Sequence, residues 1–226
     1  MAAPPLDSPC DGPVTYPEDT KNTHKILKRK KRADTQYDYT ARFDGQRFVK
    51  LKVATWNVRG IAEKTEQLQT ELLKRKTDIA VVTETKEKNK GSEDTGNYVT
   101  IYCGVPANQC ASSGVAIAIR KDWKHEIQDY TWISDRIIDT RIKVLNRNFT
   151  IVGVYPPIEG KEQNTKEFYR EPQQSMNKIP KKENIILAGD FNGRIGNQPI
   201  PECIEPYGEQ ATNHNGATLR DFCAFN

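Results

Sequence analysis

The feature that most constrains this chain is a series of short β-branched runs, divided by turn residues and mostly lacking a helical stretch between them. Residues Arg47–Asn57, 78–83, 98–102, 114–119, 127–133, Ile137–Val144, 149–155 and 184–188 all have this character. Branched and aromatic side chains pack well on a pleated surface, so each run is expected to be a strand. Helical spacing is confined to three stretches. In residues 61–76, Leu68, Leu72 and Leu73 share one face near Ile61, while Glu63, Glu66, Lys74 and Arg75 point away. Residues 165–178 and 215–225 are the other two. Strands that follow one another without a crossover helix disfavour a simple βαβ alternation and favour an α+β sandwich.

At ~150 residues per domain, 226 residues allow one large domain with a tail. A mean hydropathy of −0.76, with 28% charged residues, is polar for a globular chain. The excess polarity lies at the front. Residues 1–45 hold Pro4, Pro5, Pro9, Pro13 and Pro17 and show no strand or helix period. They are expected to be a disordered tail, with the folded domain at 46–226. Residues 1–50 carry 10 Lys and Arg against 7 Asp and Glu, out of 34 and 30 in the whole chain, so the remainder is nearly neutral. The run Lys28-Arg29-Lys30-Lys31-Arg32 suits a nuclear import receptor or nucleic-acid phosphates; a merely solvated basic stretch is the alternative.

No apolar run approaches the ~20 residues of a membrane helix, so no membrane partner is expected. The N-terminus lacks a basic start and an apolar stretch, which predicts a nuclear or cytoplasmic protein that is not secreted. Cys10, Cys103, Cys110, Cys203 and Cys223 contain no CxxC pair and are read as reduced thiols. The sequon at Asn148 falls inside an expected strand and is not expected to carry a glycan.

The apolar runs end in a consistent way. Residues 53–56 lead to Asn57, residues 79–83 to Glu84, residues 151–154 to Tyr155, and residues 185–189 to Asp190, with Asn192 two residues on. Any one of these is an ordinary exit into a polar loop. Four strands ending in two carboxylates, two amides and a phenol suggest a common site. The set has no histidine: His24 is in the tail, His125 precedes a strand and His214 is in a loop. Oxygen donors without imidazole or thiolate favour Mg²⁺ or Mn²⁺ over zinc. Glu84 is the best first ligand. Asn57 and Asn192 can donate to an anionic phosphate where a carboxylate would repel it, Asp190 can orient or deprotonate a water, and Tyr155 can donate to a phosphate oxygen.

These residues sit in motifs that resemble the endonuclease/exonuclease/phosphatase superfamily. Thr55-Trp-Asn-Val-Arg-Gly60, Thr83-Glu-Thr-Lys86, Ser113-Gly-Val-Ala-Ile-Ala-Ile-Arg120, Asp135-Arg-Ile-Ile-Asp-Thr-Arg141, Val152-Gly-Val-Tyr-Pro-Pro157 and Gly189-Asp-Phe-Asn192 occur in the superfamily's order. Residues 188–196 and 215–223 are most similar to the apurinic-like endonuclease domain of non-LTR retrotransposons, a branch that includes craniofacial development protein 2-like host genes. The resemblance runs from about residue 50 to the last residue. It implies a four-layer, DNase I-like fold of two packed mixed β-sheets flanked by helices, and a metal-dependent DNA nuclease site at one edge. By motif position it gives Glu84 and Asn57 to the metal, Asn57 and Tyr155 to the phosphate, and Asp190 with Asn192 to the attacking water and scissile phosphate.

One departure stands out. Members of the family continue past the helix matching residues 216–225 with further strands, one ending in an Asp-His or similar pair, and this sequence holds no such pair. The expectation is a domain incomplete at its C-terminus, a fragment or a truncated copy, inactive or weakly active as it stands. The alternative is a non-catalytic remnant or host-adopted copy that binds nucleic acid or protein. A phosphatase of small phosphate esters lacks the basic cluster that a multiply charged headgroup needs.

Overall fold

The computed structural model describes residues 28–31, 36–43 and 47–226, apart from 145, 159 and 161. Strands β1 (Lys28–Lys31), β2 (Gln36–Phe43), β3 (Arg47–Asn57), β4 (Ile79–Thr83), β5 (Lys90–Thr95), β6 (Tyr98–Cys103) and β7 (Val115–Arg120) form one sheet in the order β1-β2-β3-β4-β7-β6-β5. Strands β8 (Ile127–Ser134), β9 (Ile137–Val144), β10 (Arg147–Val154) and β11 (Asn184–Gly189) form a second, in the order β11-β10-β9-β8. Helix α1 (Thr65–Lys74) covers the first sheet; α2 (Glu162–Phe168), α3 (Arg170–Met176) and α4 (His214–Phe225) lie with the second. The result is the expected four-layer sandwich of two mixed sheets with helices outside.

The core lies between the sheets. Val53, Val81 and Ile117 of the first meet Ile138, Ile142, Ile151 and Ile186 of the second. Gly153 of β10 marks the tightest approach, since a Cβ there would meet Val81, Ile138 and Ile117 at 3.1, 3.2 and 3.4 Å. On the other face of the first sheet, Ala54, Ala80, Ala116 and Ala118 present small side chains, which lets Leu68 and Leu72 of α1 pack close. Strand β4 is buried along its whole length because both its faces are covered, which explains its unbroken apolar run. On the outer face of the second sheet, Val152 and Val154 pack with Phe168, Tyr169 and Phe222 from the helices.

Some expectations change. Order was placed from residue 46, yet β1 and β2 extend the first sheet through residues 28–31 and 36–43, antiparallel to each other and to β3. Tyr37, Tyr39, Ala41 and Phe43 alternate with polar residues, a period-2 signal concealed by its polar surroundings. Four residues of the basic run thus lie in a strand, while Arg32 and the rest of the tail at 1–27, 33–35 and 44–45 fall outside the described residues. Helix α1 starts later than residue 61, because Ile61–Lys64 forms a turn with Glu63 at φ 62°. The helix expected over 165–178 is two short helices divided at Tyr169. Strand β5, polar throughout, gave no apolar signal because it is the sheet edge beyond β6. No helix among the described residues is long and apolar enough to cross a membrane.

Candidate active site

Each sheet contains a parallel pair, β3 with β4 and β10 with β11, among otherwise antiparallel neighbours. Parallel strands end at the same edge of a sheet. In the first pair Asn57 stands opposite Thr83, with Glu84 next along the chain. In the second Val154 stands opposite Gly189, with Tyr155 and Asp190 next. All four strand-end residues read from the sequence are therefore delivered by these two pairs.

Side-chain bonds join the ends across the sandwich. The Asn57 amide donates to the Asp190 carboxylate at 2.8 Å, and the Tyr155 hydroxyl lies 3.4 Å from Glu84 Oε2. Asp190 also accepts from the Asn192 backbone N–H at 3.0 Å, and Asn57 Oδ1 accepts from the Arg59 N–H at 3.1 Å. The Asn192 amide donates to the Pro156 carbonyl at 2.9 Å. All five residues expected at the site are brought together.

The backbone is shaped to place them. Glu84 and Asn192 have φ of 53° and 48°, a left-handed conformation that costs a non-glycine residue about 1–3 kcal/mol and persists only where its surroundings enforce it. Around Glu84 they do: Val58 and Gly60 donate to the carbonyls of Thr83 and Glu84, and Thr85 and Lys86 donate to those of Gly114 and Ser113. Gly189, at φ 152°, has no room for a side chain, since a Cβ would lie 1.9 Å from the Val154 carbonyl oxygen. The glycine before Asp190 thus sets the spacing between β10 and β11 at the point where both deliver a site residue.

Burial pushes the Tyr155 phenol above its ordinary value, and the Glu84 and Asp190 carboxylates push the same way, against Arg136 and a hydrogen bond with Asn192. The phenol is held as a protonated donor, and both carboxylates act on it.

Three further contributors were not singled out in the sequence. The Arg136 guanidinium donates to the Tyr155 carbonyl at 3.1 Å and sits 5.4 Å from the centre of its ring. Buried Ser113 donates to Asp135 at 2.5 Å, tying the loop before β7 to the turn that carries Arg136. Asn215, 1% exposed, donates to the carbonyls of Pro157 and Asn192 and accepts from the Thr165 hydroxyl, fixing the two loops that follow β10 and β11. All lie inside the motif segments; what their sequence could not show was which turn each would clamp.

Among the described residues no group of three or more His, Cys, Asp or Glu is arranged to hold a metal ion. The donor set still fits a hard divalent ion, which binds through one or two carboxylates and keeps several waters. Among the described residues the Glu84 carboxylate is engaged only at long range, by Tyr155 at 3.4 Å and Lys86 at 3.5 Å, and the Asn57 side-chain oxygen accepts one backbone N–H, that of Arg59.

Residues 54–200 match the model of the Endonuclease/Exonuclease/phosphatase family, a span that contains all five site residues. The chain is similar to Craniofacial development protein 2 of Bos taurus, 28% identical over 176 residues, covering 77% of this chain and 29% of that protein. The corresponding protein of Tragulus javanicus matches at the same identity over 30% of its length. The chain thus spans under a third of the curated relatives it matches. Among solved structures, the catalytic domain of Xenopus laevis APE2 aligns with TM-score 0.55 at 17% identity, covering 75% of this chain and 67% of that one. An AP endonuclease from Archaeoglobus fulgidus aligns with TM-score 0.53 at 18% identity, covering 78% and 71%. At such identities the likeness establishes the fold.

Proposed function

The chain belongs to the endonuclease/exonuclease/phosphatase family, and from that premise we propose that it is a retrotransposon-type endonuclease domain that binds DNA and hydrolyses phosphodiester bonds with Mg²⁺ or Mn²⁺. The observation that carries this reading is the Asn57–Asp190 bond between the sheets, with the Glu84–Tyr155 contact beside it. It sets a metal-type carboxylate, a fixed carboxylate, two amides and a phenol round one edge.

The roles follow from how each group is held. Glu84, with Asn57 beside it, would hold the metal ion, which when bound offsets the negative charge that builds on the phosphate oxygens. Asn57 keeps a second amide N–H for a phosphate oxygen, whereas the Asn192 amide, bonded to the Pro156 carbonyl and to the Tyr155 phenol, would turn its second N–H from the phenol to the phosphate. Tyr155, protonated, donates to another. Asp190, fixed by two hydrogen bonds, orients or deprotonates the attacking water. The basic run at Lys28, Arg29, Lys30, Lys31 and Arg32 is assigned to DNA phosphates or a nuclear import receptor, for a nuclear or cytoplasmic protein.

Turnover by these 226 residues is expected to be slow. They contain no Asp-His pair, and neither His125, in the turn before β8, nor His214, whose Nε2 has no hydrogen-bond partner, bonds to the cluster among the described residues. The same observation favours the second reading, a binding module without catalysis. Incubation with supercoiled plasmid separates the two. The enzyme reading expects slow, EDTA-sensitive nicking that is lost in Asp190→Asn; DNA binding with no nicking above that of the variant would leave the binding module.

A further inference from the structure

The outer face of the second sheet carries a cleft that the site described above does not use. It measures about 510 Å³ and lies between β8, β9 and α3, within the range of about 300–1,000 Å³ usual for small-molecule sites. Its floor includes Arg141 and Thr150, which are register partners across β9 and β10. The active-site edge begins beyond Val154, about 13 Å further along the strand at ~3.3 Å per residue. On β9, Ile138 and Ile142 turn into the core, so Asp139 and Arg141 line the cleft on the opposite face.

Its charges are unbalanced. Asp129, Asp139, Glu171 and Glu183 line it against Arg141 and Lys178. Arg141 is ion-paired with Glu183 and stands opposite Asp129 across β8 and β9, with its Nε buried and without a partner. The Glu183 side chain is 2% exposed; its Oε1 also accepts from Asn148, while its Oε2 is buried without a partner. Asp139 accepts from the hydroxyls of Ser175, at 2.8 Å, and Thr131, and burial raises its carboxyl, with Asp129 adding to the effect. A desolvated carboxyl answered only by neutral donors, beside a second carboxylate and a buried unpaired oxygen, is stabilised most by an added cation. Ile133, Ile179 and Pro180 complete the walls with apolar surface, which a bare metal ion would not use and an alkyl chain would.

We propose that this cleft binds a small aliphatic diamine, one ammonium group on the Asp129–Asp139 pair, the methylene chain against Ile133 and Ile179, and the other ammonium toward Glu171. The site is independent of phosphodiester chemistry, so it stands or falls apart from the proposed nuclease function.

Calorimetric titration of the whole chain with 1,4-diaminobutane at fixed ionic strength tests it, with 1,4-butanediol as the uncharged match. Saturable binding of the diamine, none of the diol, and affinity reduced about tenfold or more in Asp139→Asn are expected, with Glu84→Gln binding as the parent does. No saturable binding, equal binding of the diol, an unchanged Asp139→Asn, or loss in Glu84→Gln would each overturn the proposal. Should Asp139→Asn fail to fold, Asp129→Asn, exposed on β8, is measured in its place: weakened binding supports the cleft and unchanged binding refutes it.

Discussion

Glu84 and Asp190 occupy equivalent positions, each just past the end of one sheet's parallel pair, and they are held in opposite ways. Glu84 has a constrained backbone and a loosely engaged carboxylate, with contacts at 3.4 and 3.5 Å. Asp190 has both carboxylate oxygens fixed, one by the Asn57 amide at 2.8 Å and one by the Asn192 N–H at 3.0 Å. A carboxylate with free lone pairs can accept an ion and its waters; one with both oxygens bonded holds a direction. On the proposed reading, the difference divides two chemically similar side chains at one edge between ion binding and orientation by their neighbours alone.

Removing the directed carboxylate should have the largest effect. Asp190→Asn is expected to lower single-turnover nicking by about 10²–10⁴-fold, the usual contribution of a positioned acid/base group, while DNA affinity measured by fluorescence anisotropy changes little. If nicking and affinity fell together, Asp190 would be a binding group and the division would fail.

Glu84→Gln should act on the ion instead. Loss of an outer-shell partner costs about 10–100-fold in metal affinity, so loss of the ligand itself should cost at least that, read as free Mn²⁺ by electron paramagnetic resonance. The Asp190→Asn variant should bind Mn²⁺ much as the parent does, and a reversal of the two results would exchange their roles.

Tyr155→Phe sharpens the comparison from the middle, because its hydroxyl faces Glu84 and its phenol feels both carboxylates. A hydrogen bond to a charged group contributes about 1.5–3 kcal/mol, so nicking should fall about 10–150-fold with Mn²⁺ affinity maintained. A loss of Mn²⁺ affinity as large as that of Glu84→Gln would show that the phenol, rather than the carboxylate alone, holds the ion.

The frame of this arrangement was legible from residues alone. Strand β9 was read at its observed bounds, Ile137–Val144, and four of the site residues were read as strand ends, with Asn192 two residues past the last, because a buried run that stops at a polar residue is visible in the sequence. That the ends share one site was expected from their residue types and from the resemblance, but how they meet was not legible. It depends on which neighbours pair in parallel and on backbone conformations such as φ 53° at Glu84, neither of which leaves a pattern in composition. The clamps were hidden for the same reason: Asn215 and Arg136 act on carbonyls of residues distant in sequence. Strands β2 and β5 were missed in polar surroundings, where tertiary pairing rather than apolar content decides the conformation.

The smallest expected effect concerns backbone strain. Asn192→Gly relieves a left-handed conformation worth about 1–3 kcal/mol, and that relief is opposed by about 0.4–1 kcal/mol of added freedom in the unfolded chain together with the loss of one hydrogen bond to Pro156 of about 1 kcal/mol. The opposing terms nearly cancel, so urea denaturation should place the variant within about 1 kcal/mol of the parent while nicking falls. A large loss of stability would mean that Asn192 is held for the fold and not for the site.

The central claim is that the ends of two parallel pairs, one in each sheet, form a single metal-dependent phosphate site. Crystals soaked in Mn²⁺ test it most directly through the ion's anomalous scattering. The account predicts one strong peak about 2 Å from a Glu84 carboxylate oxygen, on the side that faces Asp190, and no such peak in Glu84→Gln. A peak elsewhere, or one at this edge that survives Glu84→Gln unchanged, would contradict it.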